Sequence, residues 1–132
     1  ERYDNAAMPW VVFTDPQVAG VGLTERHARA AGHDVKTSVL TLDNVPRARA
    51  ARDTRGLIKL VADAKTDHLL GGVIMAPDGA DCVQTLVMAL SFGMTTKALG
   101  ETIFPYLTTV EGLKLAAQSF DKDVAKLSCC AG

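Results

Sequence analysis

The chain has 132 residues, 48% hydrophobic and 22% charged, with a net charge of −1. That is room for one domain with its own core, but it is short for an oxidoreductase carrying its own nucleotide folds. The near-neutral balance and the lack of a basic run exclude nucleic acid and anionic membranes as partners, and no stretch nears the ~20 apolar residues that cross a bilayer.

The opening Glu1-Arg2-Tyr3-Asp4-Asn5 is polar and unlike a signal peptide. With no initiator Met, the chain reads as a fragment or processed piece. Pro9 then opens an apolar run, Trp10-Val11-Val12-Phe13, expected to be a buried strand. Asp15-Pro16 breaks it, and Val18 to Leu23 continues extended, with Gly20 and Gly22 allowing close backbone approach. Thr24 is placed to cap a short helix from Glu25 to Ala31, which Gly32 ends. Val35 to Leu42 alternates as a strand packed on at least one face. Asp43 to Arg55 reads as irregular.

Leu57 to Ala62 and Leu69 to Ala76 read as two strands joined by the polar turn Asp63-Ala64-Lys65-Thr66-Asp67. Gly71-Gly72 inside the second predicts a bulge or a tight contact with another layer. From Ala80 the period becomes helical: Val83, Leu86, Val87 and Leu90 fall on one face of a helix ending near Gly93. Thr95 or Thr96 caps a second helix through Ile103, and Pro105 stops it. Thr108 or Thr109 caps a third, with Glu111 in its first turn and Leu113, Ala116 and Ala117 as its apolar stripe. Short turns between strands predict an α+β fold: an antiparallel sheet of about four strands with helices grouped on one face.

Three cysteines do not make a secreted disulfide framework, so a reducing cytoplasm is the expected home. Cys82 lies in a helical first turn and reads as core or interface filler. Cys129 and Cys130 are adjacent, and their Cα atoms stand about 3.8 Å apart across a trans peptide, against roughly 4.4–6.8 Å in relaxed disulfides. The pair therefore reads as a dithiol on a loose tail, suited to capturing a soft metal ion. A prenylation box is disfavoured by Gly132 and by the lack of an upstream polybasic segment. Arg47, Arg49, Arg52 and Arg55 fit an anion site or, more simply, a solvated or subunit-facing loop. His27, His33 and His68 are scattered and read as surface residues. There is no Gly-x-Gly-x-x-Gly, P-loop or Cys-x-x-Cys.

Pro9-Trp10-Val11-Val12-Phe13-Thr14-Asp15-Pro16, followed by Val18, Val21-Gly22 and Thr24-Glu25, resembles the start of the C-terminal dimerisation domain of the flavin- and pyridine-nucleotide-dependent disulfide oxidoreductases. Phe104 to Glu111 matches the place where that family carries a His-Pro-Thr-x-x-Glu signature. There the His, oriented by the Glu, is an acid/base beside the partner subunit's redox disulfide. Here Tyr106 stands in the His position, Leu107 replaces the Pro, and Glu111 remains. A phenol of ordinary pKa about 10 does not replace an imidazole of about 6.5 at neutral pH.

Tyr106, the segment Leu42-Asp43-Asn44-Val45-Pro46-Arg47 and the terminal Cys129-Cys130 together resemble the mercuric-ion-reducing branch of the family. The resemblance implies a homodimer using FAD and NADPH, held mainly by domains outside this chain, with mercuric ion as substrate. It implies that Cys129 and Cys130 capture the metal and hand it to an inner cysteine pair on the partner subunit, where Tyr106 acts as weak ligand or hydrogen-bond donor. A packing-only Tyr106 is the alternative. Residues 1–8 are then a linker, 9–120 the interface domain and 121–132 a flexible metal-capture tail, whose residues 121–128 span at most about 26–29 Å extended. By itself the chain is expected to be inactive. A dihydrolipoamide-dehydrogenase-like domain and a free-standing soft-metal module are the alternative functions.

Overall fold

The apolar run after Pro9 turns back on itself. In the computed structural model, which describes residues 4–120, Trp10–Val12 forms β1 and Gln17–Gly22 forms β2. They pair antiparallel with Trp10 opposite Gly20. Gly20 is required there, because a Cβ would stand 2.5 Å from the Trp10 indole. The strands β3 (Val35–Thr41), β4 (Leu57–Asp63) and β5 (Leu69–Ala76) complete a five-stranded sheet of order β1-β2-β5-β4-β3, antiparallel throughout. The expected antiparallel α+β layout is present. It has five strands, where about four were expected, because Trp10 to Leu23 makes a hairpin.

β1 itself departs from the expected buried strand. It lies at the sheet edge, with Trp10 46% and Phe13 78% exposed. An unbroken apolar run signals burial on both faces, yet within this domain only Val11 packs against the core. Gly71 and Gly72 do both things their position predicts. The β4–β5 register shifts beside them at Val61 and Ala62, and a Cβ on Gly72 would come 2.8 Å from Leu86 Cδ1 in the helix layer.

Helix α1 (Glu25–Ala30) is capped by Thr24, whose hydroxyl accepts from the His27 amide at 3.1 Å. Asp43 to Arg55 is more ordered than its sequence predicts: a 3-10 turn (Leu42–Asn44) runs into α2 (Pro46–Ala51). Pro46 pre-sets the first turn, three alanines favour the helix, and Arg52 ends it in the left-handed region at φ 55°. α3 (Gly79–Ser91) lays Val83 and Leu86 on the sheet, with Val87 and Leu90 partly buried at its border. α4 (Thr96–Glu101) is capped by the Thr95 hydroxyl at Ala98 N, 3.1 Å, and stops two residues short of the expected Ile103.

α5 (Glu111–Gln118) packs on the far end of the sheet. Leu113 is fully buried with Ile58, Leu60, Ile74 and Leu86, and each such side chain contributes about 1.5–3 kcal/mol of burial. Gly112 sets the approach, since a Cβ there would meet Ile58 Cδ1 at 2.7 Å and Val45 Cγ2 at 3.2 Å. The buried Ser38 hydroxyl of β3 donates to Ala116 O at 2.6 Å and fixes the same helix to the sheet edge.

The turn between β4 and β5 is organised by Asp63. Its carboxylate accepts from His33 Nδ1 at 2.8 Å and from the amides of Lys65 and Thr66 at 2.8 and 3.1 Å. The His33 bond first, then the two amides, pull its pKa from 3.8 to about 2. Stabilisation from a depressed carboxylate is present above the unfolded value and is lost as pH falls through the folded one. Asp63→Asn is therefore expected to unfold at lower urea than the unsubstituted chain at neutral pH. The gap should close between pH 3.8 and about 2; a gap that persists below that window would remove the ionised turn from the account.

Candidate functional site

Pro105 blocks helix continuation after α4, and the chain crosses from Thr102 to Val110 as a loop before α5 resumes. The Thr108 hydroxyl both donates to Pro105 O at 2.8 Å and accepts from Glu111 N at 3.3 Å, so one side chain closes the turn and caps the helix. The Thr109 hydroxyl donates to Asp78 Oδ2 at 3.2 Å, tying the loop to the start of α3. Leu107 sits at φ 63°, a region costly for a branched side chain. The result is a braced turn in which Tyr106 is 59% exposed, three residues after Ile103, which is 93% exposed.

After the turn, Glu111 opens α5 and is only 7% exposed. Its Oε1 has no hydrogen-bond partner among the described residues. A buried carboxylate is tolerated at a helix N-terminus because the unpaired amides there favour negative charge, but an unmet oxygen lone pair is uncommon in a native interior. The structure thus places two residues named from the sequence, Tyr106 and Glu111, on one short segment, the first exposed and the second buried. Cys129 and Cys130 lie outside the described residues.

The third cysteine is no substitute for that pair. Cys82 is buried in the core, behind a groove of about 320 Å³ also lined by Asp78, Asp81 and Thr108 to Val110. Burial first, then the charges of Asp78 and Asp81, push its thiol up to about 12. It stays protonated at neutral pH, and the thiolate is the form that ligates soft metals. Among the described residues, no three His, Cys, Asp or Glu side chains gather to hold a metal. Of the histidines, His33 is half-buried on Asp63, whereas His27 and His68 are exposed.

What sequence reading missed is how the arginines divide. Arg55 grips Asp53 through Nε at 2.8 Å and reaches Asp15 through Nη2 at 3.0 Å. Arg47, Arg49 and Arg52 are exposed, and their side chains make no hydrogen bond or ion pair among the described residues. Among the described residues every strand pair is antiparallel, so they hold no parallel strand–helix crossover of the kind that seats a pyrophosphate. Among those residues no helix is long and apolar enough to cross a membrane.

Residues 8–117 match the family model of the pyridine nucleotide-disulphide oxidoreductase dimerisation domain. The chain is 54% identical over 132 residues to mercuric reductase of Lysinibacillus sphaericus, covering 100% of this chain and 24% of that protein. It is 55% identical over 132 residues to mercuric reductase of Bacillus cereus, covering 100% and 21%. Among solved structures, the HOCl-induced flavoprotein disulfide reductase RclA from Escherichia coli superposes with a TM-score of 0.80 at 32% identity, over 84% of this chain and 26% of that one. The chain thus spans under a quarter of the length of the two mercuric reductases.

Proposed function

The chain belongs to the pyridine nucleotide-disulphide oxidoreductase dimerisation-domain family, and on that premise we propose that it is the interface domain of a cytoplasmic, homodimeric mercury(II) reductase. The observation that carries this reading is the extent of the likeness to mercuric reductases. It runs over all 132 residues, so the stretch holding Cys129 and Cys130 falls inside the match. Tyr106 in place of an acid/base imidazole points the same way, since dithiol–disulfide chemistry at that loop needs a group that titrates near neutral pH.

Cys129 and Cys130, as thiolates, displace small thiols from mercuric ion one at a time. The second exchange is intramolecular and leaves the ion on two sulfurs. The pair then passes it to an inner dithiol of the partner subunit. FAD and NADPH, held by domains outside this chain, supply the two electrons that make the neutral metal. Tyr106 faces the incoming ion from its braced turn and gives it an oxygen contact. Glu111 opens α5 directly after that turn, its backbone amide held by the Thr108 hydroxyl.

The test is mercuric-ion-dependent NADPH oxidation by the full-length protein in excess small thiol, with oxidised lipoamide as control. Oxidation driven by mercuric ion and not by lipoamide supports the reading. Turnover of lipoamide alone would return the domain to a disulfide reductase, the activity named for the E. coli relative of the same fold. Tyr106→Phe removes the proposed oxygen contact to the ion, worth about 1 kcal/mol, so kcat is expected to fall about five- to tenfold. Full activity in that variant would leave Tyr106 a packing residue.

A further inference from the structure

We propose that Lys36 is a positioning residue for metal delivery: paired with Asp67, it holds the Phe120 ring and so fixes the root of the segment that carries Cys129 and Cys130. This rests on the mercury(II) reductase reading. Lys36 Nζ stands 4.9 Å from the centroid of the Phe120 ring, within the roughly 6 Å at which a cation and an aromatic face attract. The same Nζ lies 2.6 Å from Asp67 Oδ1. Asp67 is held in turn at the start of α4, where it accepts from the Thr96 hydroxyl and from Lys97 N at 3.0 Å. Lys36 and Asp67 are half-buried, so salt screens their charges less than at the open surface.

The contact follows from how β3 and α5 lie together. Lys36 and Ser38 are two residues apart on β3 and share one face of the strand. The Ser38 hydroxyl meets Ala116 O, while Lys36 meets Phe120, four residues further on in the turn that ends α5. Two strand residues rise about 6.6 Å and four helical residues about 6 Å, so the two contacts keep step. The end of α5 is secured beside them. Gln118 Nε2 donates to Gly100 O of α4 at 2.8 Å, and Phe120 packs partly buried against the core.

A tethered reactant acts through its effective concentration, which falls about as the −3/2 power of tether length or more steeply. With Phe120 held, the tether to Cys129 is residues 121–128. With Phe120 released, the nearest side chain bonded to another element is that of Gln118. The tether then lengthens by residues 119 and 120 and loses its fixed direction of departure. Lys36, Asp67 and Phe120 touch neither metal nor cofactor in this account, and their effect is felt only through the two thiols they aim.

The measurement is kcat/KM for thiol-complexed mercuric ion in the full-length protein, in two backgrounds: with Cys129 and Cys130 present, and with both replaced by Ala. Lys36→Gln and Phe120→Leu are each expected to lower it about twofold in the first background and to leave it unmoved in the second. Combined, they should lose no more than either alone, since both break one contact. Lys36→Arg and Phe120→Tyr keep the cation and the ring and should hold the unsubstituted value. Backbone hydrogen exchange across residues 117–120 should quicken about two- to fivefold in Lys36→Gln, the factor that one such contact corresponds to. Equal losses in both backgrounds would make Lys36 a residue of folding alone and overturn the proposal, as would unchanged kcat/KM or unchanged exchange. Each of those results leaves the reductase reading intact. Absence of mercury-dependent NADPH oxidation in the unsubstituted protein would overturn that reading and this inference with it.

Discussion

Replacing both Cys129 and Cys130 with Ala is expected to lower kcat/KM for thiol-complexed mercuric ion by about two orders of magnitude. That is the low end of what a tethered second binding step gives over a single one. In excess small thiol the free ion is negligible, so every transfer is a ligand exchange in which an incoming thiolate must displace a bound one. With two neighbouring sulfurs the second displacement draws on an effective concentration that bulk thiol does not match. With none, the inner dithiol must strip both small thiols unaided. The third thiol offers no rescue, because Cys82 is buried in the core with its proton held up to about 12. Each single variant should fall between the double variant and the unsubstituted protein. Steady-state NADPH oxidation at fixed excess thiol, with the flavin spectrum as a check on folding, reads the effect. Unchanged turnover in the double variant would end the delivery role.

The features legible from sequence were those decided within a few residues. Thr24 and Thr95 cap their helices because a hydroxyl meeting an amide three residues on is local geometry. Leu86 is in the core because α3 repeats its apolar positions at helical spacing. What escaped depends on which distant element arrives. Val11 reaches the core while its neighbours Trp10 and Val12 do not, and that follows from β1 pairing only with β2 at the sheet edge. Arg55 looks like its three neighbours in sequence, but Asp15, 40 residues away, reaches it across the hairpin turn. Glu111 was named from a family signature. That its Oε1 lies buried with no partner among the described residues reflects how α5 seats on the sheet, which no local pattern encodes. α2 was missed because arginine and proline read as loop. Its alanines decided otherwise once Val45 and Ala48 were buried.

Leu113→Ala and Gly112→Leu are expected to separate stability from site geometry. Leu113 is fully buried on α5, and its truncation leaves a cavity under a helix that keeps its Ser38 bond to Ala116 O. Such substitutions cost about 2–5 kcal/mol. The remaining folded molecules should turn over at the unsubstituted rate, because the Thr108 cap and the Thr109 link to Asp78 do not involve Leu113. Gly112 faces Ile58 and Val45 with no room to spare. Ala there is the mild case: its methyl meets the movable end of Ile58 at 2.7 Å, and a gain in helix propensity of about 1 kcal/mol offsets the push. Leu brings three further carbons into a filled space, and overpacking of that kind costs about 1–3 kcal/mol. The strain is relieved by lifting the first turn of α5, which carries Glu111 and the Thr108 cap away from the sheet. Gly112→Leu should therefore lose less stability than Leu113→Ala and more activity per folded molecule. Urea unfolding of the chain, set beside mercury-dependent turnover of the full-length protein normalised to bound flavin, orders the two. If activity merely followed stability in both variants, the seating of α5 would matter for folding alone and not for the turn that presents Tyr106.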